Sequence, residues 1–490
     1  MDEREQTGQE RLCFGNNFRT TGPSMSQTPQ FAESTVNSAN RQCPSWTEAG
    51  AVALVTSALF LVFYGGAAYL TSFRQDVGTW YYEWEQIIPF VPIMIVPYMS
   101  IDAFFIAAPF FCSSRSELRV LGKRLSAIVF VAAACFLIYP LELAVQRPQP
   151  TGLFGDIYTW FTAMDRPFNL CPSMHIALRT VLAVHYGKHC RGLTRIAMNI
   201  WFFLIGCSTL LLYQHHFIDV LGGFILATFV MYVFDGLGWR RNHTPSFGIA
   251  GIYAFSAMLF IVPITIYPKL GWFTLWPGVA CAITSLGYLC LGESIYRRCG
   301  GRLSWPTRFV LGPVLAGQWL SWKYYATQSN VADHVLDNVW IGRLPNQSEA
   351  TQLVNRAISA VIDVCVAFDE TPQLRTIERL ELPILDLTAP TTEQLIEAAQ
   401  FIESNRERGV LVHCKAGYSR SAALIAGWLV MTGRCGSTED AFELIRRARP
   451  KIVVRPEIRN LRFESNTLDF ATHLHEHTLR QEQPCLASTI

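Results

Sequence analysis

Long apolar stretches recur from Trp46 to about Ile295, and this repetition limits the possible folds more than any other feature. A helix that crosses a bilayer needs about 20 apolar residues, because its main-chain polar groups must bond within the segment once water is excluded. Such stretches run at about Ala49 to Thr71, Ile87 to Cys112 and Leu125 to Val145. A more polar helix follows His175, and further stretches cover about Ile196 to Tyr213, Phe217 to Trp239, Phe247 to Tyr267 and Trp272 to Ile295. The pattern predicts an all-α polytopic membrane bundle of about eight spans over residues 47–300. Basic residues fall in alternate loops: Arg115, Arg119, Lys123 and Arg124, then Lys188, Arg191 and Arg195, then Arg240 and Arg241, then Arg297, Arg298 and Arg302. The positive-inside bias therefore places both ends of the bundle in the cytoplasm, with the loops after the third span and at the end of the fifth facing outward. In a bacterium this would be the inner (plasma) membrane.

The rest of the chain is of another kind. Residues 1–46 are polar, rich in Gln, Ser, Thr and Asn, and are expected to be a disordered tail with no cleavable signal. Residues 301–330 form a joint, in which Phe309 to Trp322 is apolar but short and carries Pro313 and Gln318, as in an interfacial or re-entrant segment. If the joint does not cross, the following domain is cytoplasmic, where a reactive thiol survives better. Residues 331–475 have the composition of a soluble α/β domain, and 476–490 a tail. Half of the residues are hydrophobic and 16% charged, too apolar for a soluble protein and too charged for a purely membrane one. A net charge of +2 implies no broad polyanion-binding surface and no nucleic-acid partner. The 14 cysteines are scattered, with no metal-ligand spacing and no disulfide framework.

The soluble half centres on Val412-His413-Cys414-Lys415-Ala416-Gly417-Tyr418-Ser419-Arg420-Ser421. An apolar run, Gly409 to Val412, precedes it, and a helix-like run, Ala422 to Ala426, follows. Strand, tight loop and helix start aim successive amides and a helix N-terminus at one point, which makes an anion cradle. A cysteine opening that loop has its thiolate stabilised by the same dipoles. Arg420 offers a planar fork to two phosphate oxygens, and Ser421 can hydrogen-bond the sulfur. The motif resembles that of the cysteine phosphatases, His-Cys-(x5)-Arg-(Ser/Thr), in the dual-specificity branch, over about Asp333 to Phe463. The resemblance implies an α/β fold with a central sheet flanked by helices, Cys414 as nucleophile, and residues 413–419 lining the phosphate site. It also implies a general acid on a loop after a strand upstream. Asp386 fits best, with Asp363 as a rival in an apolar strand pattern and Asp369 and Glu370 read as solvated turn residues. Lys415-Ala416 resembles lipid-directed members, since a lysine there adds positive potential for a charged head group.

A second constellation lies at the outward ends of the bundle. Arg147-Pro148 follows the third stretch, Pro172-Ser173-Met174-His175 opens the fourth helix, and Ser208-Thr209-(x5)-His215-(x3)-Asp219 joins the next two. Ionisable groups in a membrane usually mark a site. One imidazole can attack phosphorus, an aspartate can orient it, and a second imidazole can protonate the leaving oxygen. The pattern resembles the type 2 phosphatidic acid phosphatase superfamily over about Trp46 to Asp235. By position, the resemblance makes His215 the nucleophile, Asp219 its partner and His175 the acid, with Arg147 and Ser173 holding phosphate. Pro140, Met174 and Thr209 stand where that family has Lys, Gly and Arg, so two cations are missing. Together with Gln214 to Asp219 and Pro89-Phe90-Val91-Pro92, these losses resemble the sphingomyelin and inositol-phosphorylceramide synthases, so hydrolysis and head-group transfer are both open. Arg179 either replaces a lost cation or pairs with Asp102 or Glu142. His185 and His189 have metal-pair spacing but read as interfacial residues.

The chain is thus expected to be a multi-domain membrane enzyme with two phosphoryl-transfer sites that need neither metal nor other cofactor. Its partners are membrane lipids and a phosphorylated lipid or phosphoprotein substrate. The alternative is a membrane-anchored protein phosphatase whose bundle serves as anchor or sensor.

Overall fold

The structure, a computed structural model, describes residues 42–455 apart from 243, 267 and 357. The expected tails, apart from 42–46, lie outside the described residues. The chain divides into two compact units, one ending at Gly236 and the other beginning at Leu237.

The first unit is helical. Helix α1 (Trp46–Thr71) starts at Ser45, whose hydroxyl accepts from the Glu48 amide while the Glu48 carboxylate accepts from the Ser45 amide. It is followed by α2 (Ile95–Ala107), α3 (Arg115–Ile138), α4 (Leu153–Met164), α5 (Met174–His189), α6 (Gly192–Leu211) and α7 (Phe217–Val233). Leu54, Leu61 and Val62 of α1 are 72%, 70% and 66% exposed, a lipid-facing surface that water would not tolerate over a whole helix. Across the described residues, six helices are long and apolar enough to cross a membrane. Helices α5 and α7, with 16 and 17 residues, are shorter, and α5 is largely buried among its neighbours.

The second unit opens with the two remaining long apolar helices, α8 (Phe247–Ile266) and α9 (Pro268–Leu286). A π-helical turn (Gly287–Leu291) and a small hairpin, β1 (Arg298–Cys299) with β2 (Arg302–Leu303), lead to α10 (Trp305–Val310) and α11 (Gly312–Ala326). Helix α11 has 15 residues, short of a span, and exposes Trp319, Leu320 and Tyr324.

The α/β fold follows. Its strands are β3 (Ala332–Leu336), β4 (Val339–Arg343), β5 (Ala360–Asp363), β6 (Glu378–Glu381) and β7 (Val410–Cys414), in the spatial order β3-β4-β7-β5-β6. Strand β7 is central, parallel to both neighbours and buried throughout, as its unbroken apolar run requires. Its register sets Cys414 opposite Arg343 and His413 opposite Asp363. Helices α12 (Gln347–Arg356), α13 (Thr392–Asn405), α14 (Arg420–Met431) and α15 (Thr438–Ala448) complete the domain. Every residue of α14 is buried. Strand β6 ends at Glu381, although the apolar pattern of the sequence runs on to Leu387. Pro383 lacks a main-chain donor, but the Ile384 amide still donates to the Val364 carbonyl at 3.3 Å, and Asp386 sits on the loop beyond.

Candidate functional site

Strand β7 ends on Cys414 and α14 begins on Arg420, so the loop between them closes on the sulfur. Gly417 has φ 73°, and a Cβ there would lie 2.5 Å from the Gly342 carbonyl oxygen, so glycine is required. Its amide donates to Cys414 Sγ at 3.2 Å, and Ser421 Oγ lies 3.5 Å from the same sulfur. Burial pushes the Cys414 thiol up, but the Arg420 charge and the Ser421 hydrogen bonds outweigh it and bring the thiol down to about 7. The hydroxyls of Tyr418 and Ser419 are buried and bond to no described residue.

Two cations and one carboxylate meet above the sulfur. Arg420 donates Nη1 to the Ile384 carbonyl at 2.8 Å and Nη2 to Asp386 Oδ1 at 3.0 Å. Lys415 Nζ lies 2.5 Å from Asp386 Oδ2. Burial raises the Asp386 carboxyl, yet Arg420 and Lys415 overcome that and hold it down at about 2. A cavity of about 550 Å³ opens over these groups. Its other wall comes from the apolar helices of the same unit: Tyr253 and Phe260 of α8, Pro277 and Cys281 of α9, and Val314 and Gly317 of α11.

Behind the loop, His413 Nε2 hydrogen-bonds Glu370 Oε2 at 2.7 Å, with both side chains fully buried. Burial lowers this imidazole, but Glu370 and Asp363 outweigh it and raise His413 to about 9. Glu370 is therefore not the solvated turn residue expected from its neighbours in sequence. Asp369 is also tied down, by the Leu303 amide at 2.9 Å and by Arg308. Asp363, the rival acid, is buried, ion-paired to Arg298, and accepts from the Cys365 amide at 2.9 Å. That leaves Asp386 as the carboxylate facing the cavity. Arg449 was not singled out by the sequence. It is 2% exposed and braces the loop, with Nη2 on the Ala416 carbonyl (3.2 Å) and Nη1 on Asp333 Oδ2 (2.6 Å).

In the first unit the histidine constellation also assembles. The rings of His175 and His215 are 6.1 Å apart, and His215 Nδ1 is 3.7 Å from Asp219 Oδ2. His215 Nδ1 is buried and makes no hydrogen bond among the described residues. Arg147 Nη2 reaches Gln214 Oε1 at 2.9 Å and Asp165 Oδ2 at 3.3 Å, which ties it to the residue preceding His215. Ser173 differs from expectation: it is fully buried, its amide donates to the Asp219 carbonyl (2.9 Å), and its hydroxyl caps α5 at the Ile176 amide. His216 is held between Glu85 (3.0 Å) and the Ala144 amide (3.1 Å). Arg179 donates to the Phe202 carbonyl at 2.6 Å rather than to Asp102 or Glu142.

A depressed thiol in an amide-lined loop, with a guanidinium beside it and a carboxylate above it, defines a cysteine-dependent phosphoric monoester hydrolase. Residues 339–465 match the dual specificity phosphatase catalytic domain, and residues 123–243 match the PAP2 superfamily. The chain is 34% identical over 137 residues to phosphatidylglycerophosphatase and protein-tyrosine phosphatase 1 of Homo sapiens, covering 25% of this chain and 67% of that one. It is 29% identical over 155 residues to dual specificity protein phosphatase 22 of Homo sapiens, covering 31% and 79%. A crystal structure of PTPMT1 in complex with PI(5)P is 27% identical, covers 26% of this chain and 90% of that one, and has a TM-score of 0.25. The chain belongs to the dual specificity phosphatases, joined in one polypeptide to a PAP2 superfamily domain.

Proposed function

We propose that the Cys414 site hydrolyses the phosphate monoester of a membrane lipid. The supporting observation is the cavity, in which Cys414, Lys415, Arg420 and Asp386 face residues of α8 and α9, two helices apolar enough to cross a bilayer. A phosphorylated head group fits the cationic loop, and apolar chains fit the helical wall. A phospholipid phosphate is the preferred class, in keeping with the name of the 34% identical relative. The basic loops support a cytoplasmic phosphatase domain, and the short length of α11 supports an interfacial position for it.

The reaction runs as follows. The substrate dianion displaces the Asp386 carboxylate from Arg420 and Lys415 and takes their hydrogen bonds. Stripped of both cations and facing a new negative charge, Asp386 rises from its depressed state and carries a proton. The Cys414 thiolate attacks phosphorus, the phosphorus–oxygen bond breaks, and Asp386 protonates the departing alcohol. Water, giving its proton to Asp386, then cleaves the phosphocysteine. The thiolate leaves toward Ser421 and the Gly417 amide. In the membrane unit, His215 attacks a lipid phosphate, Asp219 orients its ring, His175 protonates the leaving oxygen and Arg147 holds phosphate. The loss of two phosphate-binding cations there favours passing the group to an alcohol over passing it to water.

Full-length protein carrying His215→Ala, in nanodiscs, separates the substrate classes. A higher kcat/KM on a lipid phosphomonoester in the same bilayer than on phosphopeptides is the expected result. Turnover of phosphopeptides alone would instead make the bundle an anchor.

A further inference from the structure

A cluster at the other end of α5 from His175 is used by neither phosphoryl-transfer site. Glu117, in the first turn of α3, faces His185 and His189, which share one face of α5. Its Oε1 lies 3.1 Å from His189 Nε2 and 3.8 Å from His185 Nδ1, and the three donor atoms fall within 4.8 Å of one another. A tetrahedral zinc site with bonds of about 2.0–2.1 Å holds its donors about 3.4 Å apart, close to these separations. Glu117 and His185 are 8% and 6% exposed, so the donors are withdrawn from solvent.

The hydrogen bonds around the cluster point the same way. His185 Nε2 lies 3.0 Å from the Ala108 carbonyl, which can only accept, so the ring proton sits on Nε2. The Nδ1 lone pair then faces a carboxylate oxygen across 3.8 Å, too far for a hydrogen bond and repulsive unless a cation lies between. A carbonyl that fixes the tautomer of a ligating imidazole is the usual outer support of a metal site. The other Glu117 oxygen, Oε2, is already committed to the Ser113 amide at 2.8 Å, which leaves Oε1 for coordination. Arg124, further along α3, donates Nε to the Phe234 carbonyl at 2.7 Å.

We propose that Glu117, His185 and His189 bind one divalent transition-metal ion of the zinc class. Two imidazoles and one carboxylate suit zinc or cobalt better than magnesium or calcium, which favour all-oxygen sites. His185 is ten residues from His175, about 15 Å along the helix, so the ion takes no part in the histidine chemistry. It clips the start of α3 to the last turn of α5.

The test uses full-length protein stripped with chelator and reconstituted in nanodiscs. Cobalt is titrated and followed by its visible absorption, and zinc by competition with a fluorescent chelator. One equivalent bound through nitrogen and oxygen donors is expected in the wild type. His185→Gln and His189→Gln are expected to weaken it at least tenfold, and the difference separates this ion from any held by cysteines. Unchanged cobalt spectra and affinity in both variants would overturn the proposal. Because a variant could fail to fold, wild-type thermal unfolding is measured alongside. Zinc but not magnesium should raise the midpoint, and no shift with zinc would equally overturn it.

Discussion

The Tyr288 hydroxyl donates to the main-chain carbonyl of Asp386 at 2.9 Å. Tyr288 belongs to the π-helical turn Gly287–Leu291 within the apolar segment Phe273–Tyr296, so a helix apolar enough to cross a membrane holds the loop that carries the candidate acid. The next residue, Leu387, has φ 65°, a conformation a non-glycine residue keeps only when its surroundings fix it. Tyr288→Phe removes one hydrogen bond worth about 1 kcal/mol. It should lower kcat on alkyl phosphates roughly fivefold while leaving the rate of Cys414 alkylation unchanged. Steady-state kinetics alongside iodoacetate inactivation measure both.

Asp386→Asn should have two opposite effects. Loss of the acid should lower kcat on alkyl phosphates by about 10²–10⁴. The Asp386 charge also opposes ionisation of Cys414, so its removal should move the thiol pKa further down. A slower enzyme with a more reactive sulfur is a signature that simple unfolding would not give.

The thiol makes its own pH prediction. Inactivation by iodoacetate should rise with pH through about 7, where Cys414 ionises. Arg420→Met removes the largest favourable charge and should move that midpoint upward, against a Ser421→Ala change of the same sign but smaller size.

His413 makes another. Its folded pKa, about 9, is above the value of about 6.5 for an unfolded histidine. The imidazolium therefore contributes stability that is complete below the unfolded value and is lost as pH rises through about 9. Cys414, depressed in the fold, contributes with the opposite slope. The comparison is therefore made between wild type and Glu370→Gln, where the difference in unfolding midpoint should shrink from pH 6 to pH 9.5.

Gly417→Ala should weaken phosphate-analogue binding without touching a reacting atom. The new Cβ meets the Gly342 carbonyl at 2.5 Å from a left-handed backbone, so the loop must open. Titration with vanadate should show affinity at least tenfold weaker than wild type.

What the sequence revealed and what it hid have physical causes. The loop from Cys414 to Ser421 was legible because strand, loop and helix signals are contiguous there. Asp386 was legible as a carboxylate just past a strand, although β6 ends at Glu381, earlier than the apolar pattern suggests. Glu370 was misread because its burial comes from His413, far along the chain, and a glutamate in a turn-like stretch carries no local sign of that. Arg449 and Tyr288 were invisible for the same reason: each bonds to main-chain carbonyls far along the chain. The apolar stretches located the membrane helices but not their grouping. Helices α8 and α9 fall in the compact unit of the phosphatase, a matter of packing that hydropathy does not encode.

The most direct measurement traps the intermediate. Full-length His215→Ala protein in nanodiscs is mixed with a lipid phosphomonoester labelled on phosphorus and quenched in acid within one turnover. The phosphoryl label should be found on Cys414 and be absent from Cys414→Ser. A quenched, catalytically active sample with no phosphorus on that sulfur would contradict the mechanism.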